Sequence, residues 1–235
     1  MLLALQLLFA HFLGDFLFQP YSWVKDKERR KLASPKLYFH ILIHIALSFL
    51  FIWDLRLWYI PLIIGISHLI IDASKLLLQN GRNNRLLFFI DQALHILVIG
   101  FIVLLFTETI EVIEVPTEFW LYLLGAFLVT NPASISIKTI ISVYTPKTEI
   151  EEDESLNNAG KYIGILERLL VYIFIITNHW EGVGFLIAAK SIFRFSDLTQ
   201  SKDRKLTEYI LIGTLLSFGI AIGIALLING LRFWV

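Results

Sequence analysis

Four stretches of this chain repeat one pattern, a long apolar run interrupted by two ionisable residues four positions apart. LLFAHFLGDFLF holds His11 and Asp15, YFHILIHIALSFLF holds His40 and His44, IIGISHLIIDASKLLL holds His68 and Asp72, and LLFFIDQALHILVIGF holds Asp91 and His95. Continuous runs of this length predict helices, because membrane strands would show short alternating segments. Residues four apart stand on one helix face, so each helix offers two stacked side chains to whatever lies opposite.

Taken along its length, the hydrophobic pattern predicts an all-α, polytopic transmembrane bundle of about eight spans. Their expected limits are Leu2 to Gln19, Leu37 to Trp53, Trp58 to Gln79, Leu86 to Thr107, Phe119 to Tyr144, Tyr162 to Thr177, Gly182 to Phe195 and Tyr209 to Phe233. The first run lacks a basic leader and carries His11 and Asp15, so it reads as a retained span rather than a signal peptide. After Pro20, the basic stretch YSWVKDKERRKLASPK predicts a short surface helix with Trp23 at headgroup level. Asn80-Gly81 ends the third span. Asn131-Pro132 predicts a kink or break in the fifth. The sixth and seventh spans are short and charged, the pattern of a hairpin that does not fully cross.

Residues 1–235 read as a single membrane domain with a four-helix, metal-binding half over 1–107. A second helical half with charged spans covers 117–235, and 146–160 is expected to be a flexible acidic cytoplasmic loop. Composition agrees with the membrane reading: the chain is 57% hydrophobic and 17% charged, with a mean hydropathy of +0.71. The absence of cysteine excludes disulfides, thiolate metal sites and cysteine nucleophiles. Net charge is zero and says little about partners. Its distribution says more.

Lysine and arginine gather in alternate connections, at Lys25, Lys27, Arg29, Arg30, Lys31, Lys36, Arg82, Arg85, Lys147, Lys161, Lys202, Arg204 and Lys205. The positive-inside rule makes these cytoplasmic and places both termini outside. In that topology His11, His44, His68 and His95 are the deeper members of their pairs, while Asp15, His40, Asp72 and Asp91 are the shallower. All eight fall in the cytoplasmic half, as two layers about 6 Å apart at the helical rise.

Ionisable groups inside spans are costly and mark function. Eight nitrogen and oxygen donors suit two divalent metal ions, with zinc the first choice for a histidine-rich set and manganese or iron as alternatives. The second half adds Glu167 and Arg168 in GILERLLVYIF, and Lys190, Arg194 and Asp197 in GFLIAAKSIFRFSDL. Two readings of these stay open. They form ion pairs that hold the sixth and seventh spans together, or Glu167, Arg168, Lys190 and Arg194 are catalytic, the cations clamping an anion. Lys75 either joins that clamp or extends to the headgroups. His179 reads as an exposed loop residue.

AHFLGDFLFQPYSWVKDK, HILIH, SHLIIDASK, LLFFIDQALH, GILERLL and AAKSIFRFSDL together resemble an uncharacterised bacterial integral-membrane family of unknown function. That family is in turn distantly similar to the membrane-bound metal-dependent hydrolases, and the resemblance implies metal ligation most directly for His11, Asp15, His68 and Asp72. The expectation is a multi-pass protein of the cytoplasmic membrane that hydrolyses a phosphoester or ester of a lipid or lipid-linked molecule. Membrane lipid is the expected partner, and nucleic acid is not. The alternatives are a divalent-cation transporter or channel, haem ligation, and a metal-stabilised signalling or partner-binding membrane protein.

Overall fold

The computed structural model describes residues 1–106, 116–144, 154–200 and 204–234, with the backbone alone described at 154–159, 193–200 and 204–207. Every regular element among the described residues is helical. Among the described residues, five helical stretches are long and apolar enough to cross a membrane, or six if the first two helices are taken as one bent span. These carry the membrane assignment. Contacts divide the chain into two compact units, Met1–Trp120 and Leu121–Val235.

The first unit is built from α1 (Leu2–Phe16), α2 (Tyr21–Arg30), α3 (Pro35–Ile52), α4 (Tyr59–Leu78) and α5 (Asn84–Phe106). Helix α1 packs on α3 and α5, α3 on α4, and α4 on α5, closing a ring of four. One end of its interior is purely apolar: Leu3 and Leu7 of α1, Ile52 of α3, Leu57 of the turn before α4, Ile60 and Ile64 of α4, and Ile99 and Ile102 of α5 form one buried cluster. The His and Asp positions follow these residues on α1 and α4 and precede them on α3 and α5, so all four pairs sit at the other end. A helix interior can hold two such zones because each side chain needs only its own cross-ring neighbours to match it.

Pro20, extended in backbone, stops α1 and starts α2, and the axis turns by 79°. Helix α2 then lies across the polar end of the ring, where three successive residues pin it: Asp26 accepts from Ser34 Oγ, Lys27 Nζ donates to Asp72, and Glu28 accepts from Gln79. Pro35 at the first turn pre-sets α3 because its missing N–H would be unpaired there anyway. The link from α3 to α4 is a short turn in which Arg56 hydrogen-bonds Asp54 and holds that carboxyl below its ordinary range.

The second unit contains most of α6 (Thr117–Leu128), then α7 (Asn131–Ile141), α8 (Glu154–Ile176), α9 (Trp180–Gln200) and α10 (Arg204–Arg232). The break expected at Asn131-Pro132 separates α6 from α7, with Pro132 in the first turn of α7. Helices α8 and α9, the sixth and seventh spans of the sequence reading, are not among these stretches of the described residues, and they carry the charged groups Glu167, Arg168 and Lys190. The polar stretch expected to be a loop is helical from Glu154 onward, since its Glu, Leu and Ala residues extend a helix readily. Its earlier part, 145–153, lies outside the described residues.

A glycine lets α4 pack closely on α3. A Cβ on Gly65 of α4 would lie 2.4 Å from Ile45 Cγ1 of α3, whereas nothing stands within 4 Å of one on Gly100. Gly65→Leu is therefore expected to destabilise the chain by about 1–3 kcal/mol through overpacking. Gly100→Ala should change it by less than about 0.5 kcal/mol. Thermal unfolding of the purified variants in one detergent checks both.

Candidate metal centre

All eight side chains of the four pairs converge inside the ring. Their donor atoms form three overlapping groups, His11–Asp15–His44–His68, His40–His68–Asp72 and Asp72–Asp91–His95, each with its atoms within 4.8 Å of one another. Every member except Asp15 is at most 5% exposed, and the Asp15 side chain is only 8% exposed. The imidazoles form a stack, with His68 between His44 and His95 at ring separations of 3.7 and 3.8 Å. His11 closes the group 5.0 Å from His95.

Asp15 is the focus. Its Oδ1 lies 3.1 Å from His40 Nε2, 3.1 Å from His44 Nε2 and 3.4 Å from His68 Nε2. His40 Nε2 and His68 Nε2 are themselves 3.2 Å apart. In the triangle of Asp15 Oδ1, His40 Nε2 and His68 Nε2, at most two contacts can be hydrogen bonds, because each imidazole nitrogen offers one proton or one lone pair. A cation at the centre would satisfy all three. Four donors about 2.0–2.1 Å from a tetrahedral zinc ion stand about 3.3 Å from one another, close to the 3.1–3.4 Å between Asp15 Oδ1 and the three imidazole nitrogens.

A second indication comes from unpaired atoms. The buried side-chain atoms without a hydrogen-bond partner among the described residues are His11 Nε2, His44 Nδ1, Asp91 Oδ1, Gln92 Oε1 and His95 Nε2. All lie in this cluster or on Gln92 beside it. Such atoms ordinarily find partners, and a metal is what carboxylate oxygens and imidazole nitrogens jointly accept. The donor set therefore fits a divalent ion.

The two layers expected from helical rise interleave. His44 and His68 of one layer touch Asp15 of the other, and His95 Nε2 lies 3.6 Å from both Asp72 Oδ1 and Asp91 Oδ1. Rise separates backbone positions, but long imidazoles lean along the helix and close that gap.

Lys27, Gln19, Gln92 and Gly14 have no site role in the sequence reading, whereas Lys75 is a candidate there already. Lys27, counted there as a loop cation, is only 6% exposed and pairs with Asp72 Oδ2 at 2.8 Å. Lys75 pairs with Asp91 Oδ2 at 2.7 Å. The Gln19 amide reaches His40 Nε2 at 3.0 Å, and Gln92 donates to Asp15 Oδ2 at 2.6 Å. Gly14 makes room for His44, whose ring atoms would lie 2.4–2.9 Å from a Cβ there. Only Lys75, three residues after Asp72, and Gln19, four after Asp15, carried a spacing signal.

The second-half candidates are engaged within their own unit. Lys190 pairs with Glu167, joining α9 to α8. Arg168 donates from Nε to Val129 O at 2.6 Å, from Nη2 to Thr130 O at 3.3 Å and to Ser134 Oγ, and from Nη1 to Ser217 Oγ at 3.1 Å. It thereby satisfies carbonyls freed by the break between α6 and α7. The side chains of Arg194 and Asp197 lie outside the described residues. His179 is exposed in the turn before α9.

A profile for a family described as "Protein of unknown function (DUF3307)" matches residues 2–123. The chain belongs to that family. The DUF3307 match spans nearly the whole first unit, including all eight cluster residues with Lys27 and Lys75, while GILERLL and AAKSIFRFSDL fall outside it. No curated protein and no solved structure matches the chain.

Without a metal, the cluster's stability rests on its ion pairs. Lys27→Met removes the cation from buried Asp72 and is expected to destabilise the metal-free protein by about 3–5 kcal/mol. Lys25→Met, at the exposed neighbouring lysine, should change it by less than about 0.5 kcal/mol. Unfolding curves recorded with a chelator present compare the two.

Proposed function

We propose that this protein is a membrane-embedded, metal-dependent hydrolase acting on a phosphoester or ester of a lipid or lipid-linked molecule. The observation that carries this reading is the convergence of eight buried donors, four of which have an atom without a hydrogen-bond partner. We place two divalent ions here, zinc by preference. Asp15, His40, His44 and His68 would hold one, and Asp72, Asp91 and His95 the other. The likeness to membrane-bound metal-dependent hydrolases belongs to this proposal.

Bound there, the ions would lower the pKa of a water and polarise the scissile group. The chain's own residues do the rest. In hydrolysis the water oxygen bonds to phosphorus or carbon, the ester bond to the leaving oxygen breaks, and one proton moves from the water to the leaving group. His11, whose Nε2 has no partner, is placed to take and return that proton. Gln92 orients Asp15 by donating to Oδ2, the oxygen turned away from His40, His44 and His68, as outer partners of ligands commonly do. The anion-holding role that the sequence suggested for Arg168, Lys190 and Arg194 passes to Lys27 and Lys75, which stand at the cluster itself.

For orientation we propose about eight spans with both termini outside, in the cytoplasmic membrane, so that the polar end of the ring and the basic helix α2 face the cytoplasm. The bias of lysine and arginine among the connections supports this. A divalent-cation transporter is the second reading, favoured by the broken helix pair α6–α7 with Arg168 at the break, since interrupted helices form binding sites in transporters.

Elemental analysis of the purified protein tests the centre first, with bound zinc expected in the wild type and lost in part or whole from His44→Ala. Gly14→Ala, which displaces the His44 ring, should weaken zinc binding by about 10–100-fold. Zinc-loaded protein is then expected to hydrolyse a member of a lipid and phosphoester panel, with His68→Ala inactive. A fully loaded protein that hydrolyses nothing yet accumulates zinc in proteoliposomes would replace the hydrolase reading by the transporter.

A further inference from the structure

The two halves of the cluster are unequal. Around Asp15 Oδ1, the nitrogens of His40, His44 and His68 supply a complete set of four, the number that closes a zinc site and leaves no place for substrate. Around His95 Nε2 there are two oxygens, Asp72 Oδ1 and Asp91 Oδ1, each 3.6 Å away. Three protein donors with a fourth position open is the arrangement of catalytic zinc.

The lysines treat the two halves differently as well. Each binds the outer oxygen of an aspartate whose inner oxygen faces His95: Lys27 on Asp72 Oδ2 at 2.8 Å and Lys75 on Asp91 Oδ2 at 2.7 Å. An ammonium group has three donors, and the carboxylate takes one, so each lysine keeps protons for another acceptor. Lys27 comes from α2, which crosses this end of the ring, and the Lys75 side chain is 25% exposed, which gives this half an approach from outside.

Charge then selects the ligand. With the imidazoles neutral, as ligation requires, three carboxylates against two ammonium groups leave one net negative charge; two divalent ions turn this into three positive charges. A neutral carboxylic ester would leave that charge buried and uncompensated, at high cost. A phosphate monoester brings two negative charges and three oxygens for the open position and the lysines.

Resting on the metal-centre reading above, we infer that the Asp15–His40–His44–His68 position is closed and structural, and that Asp72, Asp91 and His95 form an open position where a phosphate monoester binds between Lys27 and Lys75. The lysines are positioning residues for the two aspartates as well as anion contacts. The ester's remainder lies toward α2 and the membrane surface.

The test uses the full chain, zinc-loaded, in nanodiscs of neutral phosphatidylcholine, with zinc content, thermal midpoint and inorganic phosphate affinity as readouts. Wild type is expected to hold two zinc ions and to bind phosphate with a rise in midpoint. Asp91→Asn and His95→Gln should each keep one zinc and lose phosphate binding, whereas Asp15→Asn should lose the structural ion and lower the midpoint. Lys75→Gln should weaken phosphate at least tenfold with two zinc ions retained, and Lys75→Arg should restore it. If Asp91→Asn sheds both ions together, or if phosphate binds Lys75→Gln as tightly as wild type, the division is overturned while the metal centre stands. Wild-type protein without zinc overturns both. Doping the nanodiscs with phosphatidate separates the sources of the phosphate. Competition with the free ion supports the site with a membrane-borne ester, and its absence supports the site with a soluble one.

Discussion

The structure depends on a single carboxylate oxygen. Asp15 Oδ1 stands between three imidazoles from two other helices, His40 and His44 of α3 and His68 of α4, and so ties the entry helix to both of its successors in the ring. A carboxylate among apolar spans is stable only if its charge is met by specific partners. Here those partners are aromatic rings of fixed length, so meeting the charge also sets the distance between helices. Gly14, one residue earlier, lets the backbone of α1 come close enough for the His44 ring to slide past it.

From this constraint the two-zone interior follows. Leucine and isoleucine fill the other end of the ring and hold the helices together without regard to direction, since apolar contacts are non-directional. The polar end then decides register, because a shift of one residue on any helix rotates its donor pair by about 100° off the interior face. Stability and precision are thus divided between the ends. The bent helix α2 completes the polar end by bringing Lys27 to Asp72, which a straight continuation of α1 could not do.

Much of this is legible in the sequence, and for a definite reason. Helix limits within the first unit agree with the apolar runs to within a few residues, as with α4 at Tyr59–Leu78 against an expected Trp58 to Gln79. The four i,i+4 pairs are visible because helical geometry maps that spacing directly onto a shared face. What stays hidden depends on contacts between distant segments. Nothing in YSWVKDKERRKLASPK separates buried Lys27 from exposed Lys25, since the difference arises only once Pro20 has turned the axis and Asp72 lies below. Arg168 is similar: its charge suggests catalysis, but its donors meet the carbonyls freed by a helix break nearly forty residues earlier. The helical start of α8 lies inside an acidic stretch whose polarity predicts a loop, but glutamate is a good helix former and polarity alone does not oppose a helix.

The same reasoning separates the two kinds of charge in this molecule. In the second unit, Lys190 and Glu167 neutralise each other and Arg168 faces carbonyl and hydroxyl oxygens, and no buried side-chain atom among the described residues there lacks a partner. In the first unit they are not: His11, His95 and Asp91 each keep an unpaired buried atom, and the carboxylates outnumber the lysines. Stability alone does not call for such unmatched groups, because replacing a buried polar network by apolar side chains is commonly neutral or stabilising. An unmatched, convergent and chemically uniform set of donors is therefore better explained by something it holds than by the fold it belongs to.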